Sequence, residues 1–173
     1  MQEKGELKIK VFGDPALRKK ANLVRRVSAE CRETLSLMAQ SMYAGSGIGL
    51  AAPQLGISEQ LIVIDIGDGL YKFVNPKIIK RQGNQVIQEG CLSLPGVCIK
   101  VKRARQIWVE ALDENSRAVK LVAQDLFACV LQHEIDHLKG KLIIDYASLL
   151  EKLRIKRKLA VLKKSNKTCK LKL

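Results

Sequence analysis

Residues 126–137, Leu-Phe-Ala-Cys-Val-Leu-Gln-His-Glu-Ile-Asp-His, constrain this chain more than any other stretch. Their first half is apolar on every side of a helix, and such a helix is buried. The polar groups that follow, His133, Glu134, Asp136 and His137, are therefore carried into the interior. Each would be destabilising there by about 2–7 kcal/mol if left unpaired. His133 and His137 stand four residues apart, so one helix face aims both imidazoles at one point. They are also the only two histidines in the chain. The pattern is H-E-x-x-H, in which the histidines bind a divalent ion and the glutamate is general acid/base for a water that the ion acidifies. The fold must wrap around this helix. Asp125 is its expected N-cap, it runs to about residue 139, and Gly140 ends it at C′.

A catalytic ion needs a third protein ligand. Downstream the nearby acids are Asp145 and Glu151. Upstream lies Glu89-Gly90-Cys91-Leu92-Ser93-Leu94-Pro95, a cysteine between a glycine and a turn-prone proline. Gly90 permits an unusual backbone angle that would aim the thiolate inward and free the next N–H. With Asp145 or Glu151 as ligand the chain would be a zincin-type metalloendopeptidase. The net charge of +14 also allows an RNA-binding module with a structural ion. A structural zinc takes four ligands, however, and only 4% aromatic residues leaves no stacking platform for bases.

Elsewhere the periodicity predicts an α+β fold. Ser28 caps a helix whose apolar stripe is Cys31, Leu35, Met38 and Met42, ending in the glycine-rich segment 45–49. Strands are predicted at 61–66, at 71–74 and again at 78–79 after Pro76, then at 86–87, 107–109, 120–122 and 142–144. Asp113-Glu114-Asn115-Ser116 reads as a hairpin turn. With no helices between them, these strands predict mixed or antiparallel sheets around the central helix, with N-terminal and C-terminal helices beside them. Ile155, Leu159 and Leu162 share one face of the last helix.

The 173 residues suit one domain: residues 1–147 as a metallohydrolase domain, and 148–173 as its basic C-terminal helix and tail. That tail holds ten Lys/Arg against one Glu, a local +9. The five cysteines, an odd number without a framework spacing, read as reduced thiols. Residues 1–10 have no apolar signal-peptide centre, and no apolar run reaches membrane-spanning length. A cytoplasmic protein with no membrane partner is expected.

Two further motifs join the first. Gly47-Ile48-Gly49-Leu50-Ala51-Ala52-Pro53-Gln54, Glu89-Gly90-Cys91-Leu92-Ser93 and His133-Glu134-Ile135-Asp136-His137 stand in this order. Together they resemble the G-x-G-L-A-A-x-Q, E-G-C-L-S and H-E-x-D-H motifs of the peptide deformylase family, over residues 5 to 150. The resemblance implies that Cys91, His133 and His137 hold one divalent metal ion, with Fe²⁺ in vivo and Zn²⁺, Ni²⁺ or Co²⁺ as substitutes. It implies that Glu134 is the catalytic acid/base, and that Gln54 and the Leu92 N–H hold the formyl oxygen. Ile48, Gly49, Ile87, Leu126 and Cys129 are similar to positions that bind the methionine of the substrate. The implied reaction removes formate from N-formylmethionyl nascent chains, by attack of hydroxide generated at the ion on the formyl carbon. The implied protein is a monomer whose basic C-terminal helix contacts the ribosome. One departure is Cys98, where many bacterial members carry an arginine; Lys100 and Lys102 follow it here. Glu89, Arg103 and Asp136 are expected to form a charged layer behind the ligands.

Overall fold

The computed structural model describes residues 8–170, and side chains as far as Lys164, so residues 1–7 and the Cys169 thiol lie outside the described residues. In chain order the elements are α1 (Ala29–Ala44), β1 (Gly49–Ala51), β2 (Leu61–Ile64), β3 (Tyr71–Gln82), β4 (Gln85–Glu89), β5 (Ile99–Arg103), β6 (Gln106–Leu112), β7 (Ala118–Gln124), α2 (Asp125–Leu138) and α3 (Leu149–Lys170). Strands β1-β2-β3-β6-β7 form one sheet in that order, and β4-β5 form a separate ribbon. Every pairing of these strands is antiparallel, within the predicted α+β class.

The two faces of the larger sheet explain its composition. Leu61–Ile64 has no polar residue although its strand is antiparallel. Ile62 and Ile64 pack against Ala128, Leu131 and Ile135 of α2. Leu61 and Val63 face Leu35, Met38 and Met42 of α1 on the other side. Each such side chain removed from water contributes about 1.5–3 kcal/mol. A third cluster joins Ile99 and Val101 of β5 to Leu94, Ile143 and Ile155, with Leu159 and Leu162 packed against it. The apolar stripe of α3 is therefore anchored to the ribbon that carries Glu89.

Ser28 caps α1 as expected, its Oγ accepting from Cys31 N (3.3 Å). Asp113 closes the hairpin between β6 and β7, accepting from Asn115 N and Arg117 N, both at 2.8 Å. Gly140 takes the left-handed conformation (φ +70°) after α2, as its place at C′ predicts.

Four local expectations are corrected and two strands are added. Pro76 does not divide β3: the strand shifts register between Val74 and Lys77, and the proline sits in that bulge. Residues 142–144 form no strand but lead into a 3-10 turn, Ile143–Asp145. The short β1 and the ribbon strand β5 are additions. Asp125 does not cap α2; Gln124 is the N-cap and makes no side-chain cap, while Asp125 has φ +47° and pairs with Arg105 at 2.9 Å. Gly90 is not among the left-handed glycines.

Candidate metal centre and cleft

One turn of α2 places the two imidazoles edge to face, with His137 Nε2 3.2 Å from His133 Nε2. The third group arrives from the loop after β4, where a turn closed by Leu94 N to Cys91 O (2.9 Å) points the thiol inward. Cys91 Sγ lies 3.3 Å from His137 Nε2, and all three atoms are within 4.8 Å of one another. The edges of a tetrahedral zinc-like site are about 3.3 Å between nitrogens and about 3.5 Å between nitrogen and sulfur. The three atoms fit such an ion. The rival ligands are committed elsewhere: Asp145 pairs with Arg18 at 2.6 Å, and Glu151 accepts from Ser148 N and Oγ, both at 2.8 Å.

The electrostatics make the same demand. Burial, then the neighbouring His133, pushes His137 well below the ordinary imidazole range. His137 is therefore neutral and offers a lone pair. Burial also opposes charge on His133, but Cys91, Glu89 and Glu134 outweigh it and raise His133 well above that range. The same groups favour a positive charge at this point, and a divalent ion meets the demand as a proton does.

The charged layer expected behind the histidines is present. Glu89 Oε2 lies 2.8 Å from His133 Nδ1, which leaves His133 Nε2 facing the other two ligands. Arg103 holds Glu89 from two nitrogens, at 2.7 and 2.9 Å, and reaches Asp136 with a third. Burial works to raise the Glu89 carboxyl, but hydrogen bonds from Arg103 and His133 hold it below its ordinary value. Tyr146, absent from the sequence reading, donates to Asp136 Oδ2 at 2.7 Å.

Glu134 is buried beside the ligands. Its Oε2 has no hydrogen-bond partner among the described residues, and burial pushes its carboxyl up to about 7. Gln54 is also buried: its Oε1 accepts from Ala51 N (2.8 Å), and its Nε2 donates to Ser93 Oγ (3.2 Å) and stands 3.6 Å from Cys91 Sγ. Among the described residues the Leu92 N–H donates to no backbone carbonyl.

These groups line one cleft of about 490 Å³, and Ile48, Gly49, Ile87, Leu126 and Cys129 line it too. Its presence corrects the picture of an α2 start apolar and buried on all sides. Leu126 is 44% exposed because it faces the cleft. Val130 also lines it; its spacing from Leu126 and Glu134, four residues each way, was the available signal. Burial pushes the Cys129 thiol up to about 11, so it acts as a small apolar wall. Cys98, Lys100 and Lys102 are exposed.

The comparisons with known proteins agree with this geometry. The polypeptide deformylase family profile matches residues 6–153. A peptide deformylase of Syntrophomonas wolfei is 49% identical over 139 residues, covering 79% of this chain and 91% of the relative. One from Hamiltonella defensa is 40% identical over 163 residues, covering 92% and 95%. The Legionella pneumophila peptide deformylase structure superposes with a TM-score of 0.87 at 39% identity, covering 92% of this chain and 96% of that one. A Synechococcus elongatus peptide deformylase in complex with actinonin gives 0.84 at 43% identity, with 88% and 87% covered. Matched along most of its length in both sequence and fold, this chain belongs to the peptide deformylase family.

Proposed function

We propose that this chain hydrolyses the formyl group from N-formylmethionyl nascent chains, with Cys91, His133 and His137 holding the metal ion. The carrying observation is that three potential ligand atoms converge at a cleft also lined by Glu134, whose Oε2 is buried with no hydrogen-bond partner among the described residues. Cys91, His133 and His137 would hold a divalent ion, which when bound would supply an acidified water and positive charge for the formyl oxygen. Glu134 takes the proton of the attacking water and passes it to the departing amine. Burial pushes that carboxyl up from its ordinary value, which helps it to hold the proton between the two halves of the transfer. The formyl oxygen gains negative charge as its carbon is attacked, and the Gln54 amide and the Leu92 N–H are the donors that meet it. Ile48, Ile87, Leu126 and Cys129 bind the methionine side chain, while Gly49, also on the cleft wall, lies along the substrate backbone. The products are formate and a free N-terminal methionine.

One thiolate and two imidazoles suit iron, zinc, nickel or cobalt, and we take Fe²⁺ as the working ion. Residues 1–147 act as the catalytic part and 148–173 as its basic helix and tail, in a cytoplasmic monomer. No helix among the described residues is long and apolar enough to cross a membrane. The helix α3 docks through Ile155 and turns Arg154, Lys156 and Arg157 outward, which supports contact with ribosomal RNA. The test is incubation of anaerobically purified protein with formyl-Met-Ala-Ser and with Met-Ala-Ser. Formate from the first and no bond cleavage in the second is expected. Internal peptide cleavage without formate would establish the endopeptidase instead.

A further inference from the structure

The charged layer behind the histidines ends at Tyr146, a residue no motif contains. Its hydroxyl donates to the Asp136 oxygen that also accepts from Arg103 Nη1. Its ring lies beneath the same guanidinium, with Arg103 Cζ 4.9 Å from the centroid. A separate cleft of about 360 Å³ opens on these groups, lined by Arg81, Lys102 and Gln132 together with Arg103, Asp136 and Tyr146. Arg103 is 5% exposed and Tyr146 39%, so the tyrosine is the more solvent-facing of the two. It follows the 3-10 turn Ile143–Asp145, which Arg18 ties down through Asp145. It is thus anchored in a segment that supplies none of the three ligands.

We propose that Tyr146 is a positioning residue for the metal centre, fixing Asp136 and covering Arg103 so that Glu89 stays aligned with His133 Nδ1. The inference rests on the metal-centre reading above. The physical reason is the dielectric. Arg103 holds Glu89 in a two-nitrogen pair, and such a pair is strong only while water is kept from it. The second cleft gives water a route to that pair, and the Tyr146 ring lies against the guanidinium on this route. Glu89 in turn selects the His133 tautomer whose Nε2 faces the other two ligands. A looser Tyr146 therefore gives a looser ligand, with no change to any residue that touches the ion.

The experiment compares the zinc-loaded wild type with Tyr146→Phe, Tyr146→Ala and a control, Tyr43→Phe. Tyr43 also donates to a carboxylate, that of Asp65 at 2.6 Å, but lies outside the charged layer. Release of zinc to a chelator is followed, and the His133 Nδ1 proton is observed by ¹H–¹⁵N NMR, where two histidines leave only two imidazole rings to assign. Release should quicken about 3-fold in Tyr146→Phe and about 10-fold or more in Tyr146→Ala, within the range for outer partners of metal ligands. The Nδ1 proton should exchange faster with water in both, and Tyr43→Phe should match wild type. Wild-type release and an unchanged Nδ1 signal in both Tyr146 variants would overturn the inference. So would faster release in Tyr146→Ala with an unchanged Nδ1 proton, since that is general destabilisation. A wild-type protein that takes up no zinc would remove the metal-centre reading and this inference together; uptake without a Tyr146 effect removes this one alone.

Discussion

The Glu134 carboxylate occupies the space that a side chain at position 49 would need. A Cβ built on Gly49 would lie 2.4 Å from Glu134 Oε1 and 2.9 Å from Val130 Cγ1. The first motif and the third thus meet through an absent side chain, and the short strand β1 holds Gly49 there by pairing it with Ile64. Replacing Gly49 by alanine should displace the carboxylate without touching a ligand. A misplacement of that order in a catalytic group lowers kcat/KM by about 100-fold. Formate release and metal content measured on Gly49→Ala should show the first falling and the second unchanged. An unimpaired variant would mean that Glu134 works from another position.

Gln54 is held from both ends of its amide, by Ala51 N at 2.8 Å and by Ser93 Oγ at 3.2 Å. One amide hydrogen goes to Ser93 and the other faces Cys91 Sγ at 3.6 Å, a long contact that the oxygen of a bound formyl group would replace. Gln54→Ala should lower kcat by about 10²–10³, the usual loss for one oxyanion donor. Its metal stoichiometry should equal that of the wild type. A change confined to KM would assign Gln54 to substrate binding alone.

The Arg18–Asp145 pair links the segment before α1 to the turn that precedes Tyr146. Burial works to raise the Asp145 carboxyl, but hydrogen bonds from Arg18 and from the Leu142 N–H hold it below its ordinary 3.8. A carboxyl lowered on folding stabilises the protein above its unfolded pKa, and that contribution fades as pH falls through the folded value. Urea midpoints taken from about pH 6 down to about pH 3 should therefore fall less steeply for Asp145→Asn than for wild type in the acid range. At neutral pH the variant should be the less stable of the two. Parallel curves would mean that the pair adds nothing on folding.

On α3, Arg154, Lys156 and Arg157 are exposed while Ile155 is buried in the third cluster. Deleting the helix would therefore strip the core as well as the charge. Charge reversal separates the two. The triple variant Arg154→Glu, Lys156→Glu, Arg157→Glu should keep its thermal midpoint and formate release while co-sedimenting poorly with ribosomes at low salt. Lost phosphate contacts flatten the salt dependence by roughly one unit of slope each. Co-sedimentation equal to wild type would leave the tail as a solvated face.

Local patterns account for much of the fold and of the centre. The spacing of His133 and His137 is a property of one helix turn, so it was legible before any tertiary contact was known. The same holds for the Ser28 cap, the stripe of α1 and the Gly140 terminus. In Ile99-Lys100-Val101-Lys102-Arg103 the apolar and charged residues alternate as the strand β5 buries and exposes them, a signal already present in the sequence. Pro76 misled because local propensity breaks a strand, whereas the bulge beside it let β3 continue.

What the sequence by itself determined is the set of candidate ligand types, the one-turn spacing of the two histidines on α2, and the family to which the three motifs lead. Only the tertiary structure decided that Cys91 comes within 3.3 Å of His137 while Asp145 turns away to Arg18. The same is true of the Glu89–Arg103–Asp136–Tyr146 layer, whose members come from β4, β5, α2 and the turn beyond it. The reason is range. Helical periodicity acts over a few residues, whereas a buried charge takes its partner from whatever segment the packing of the core brings beside it.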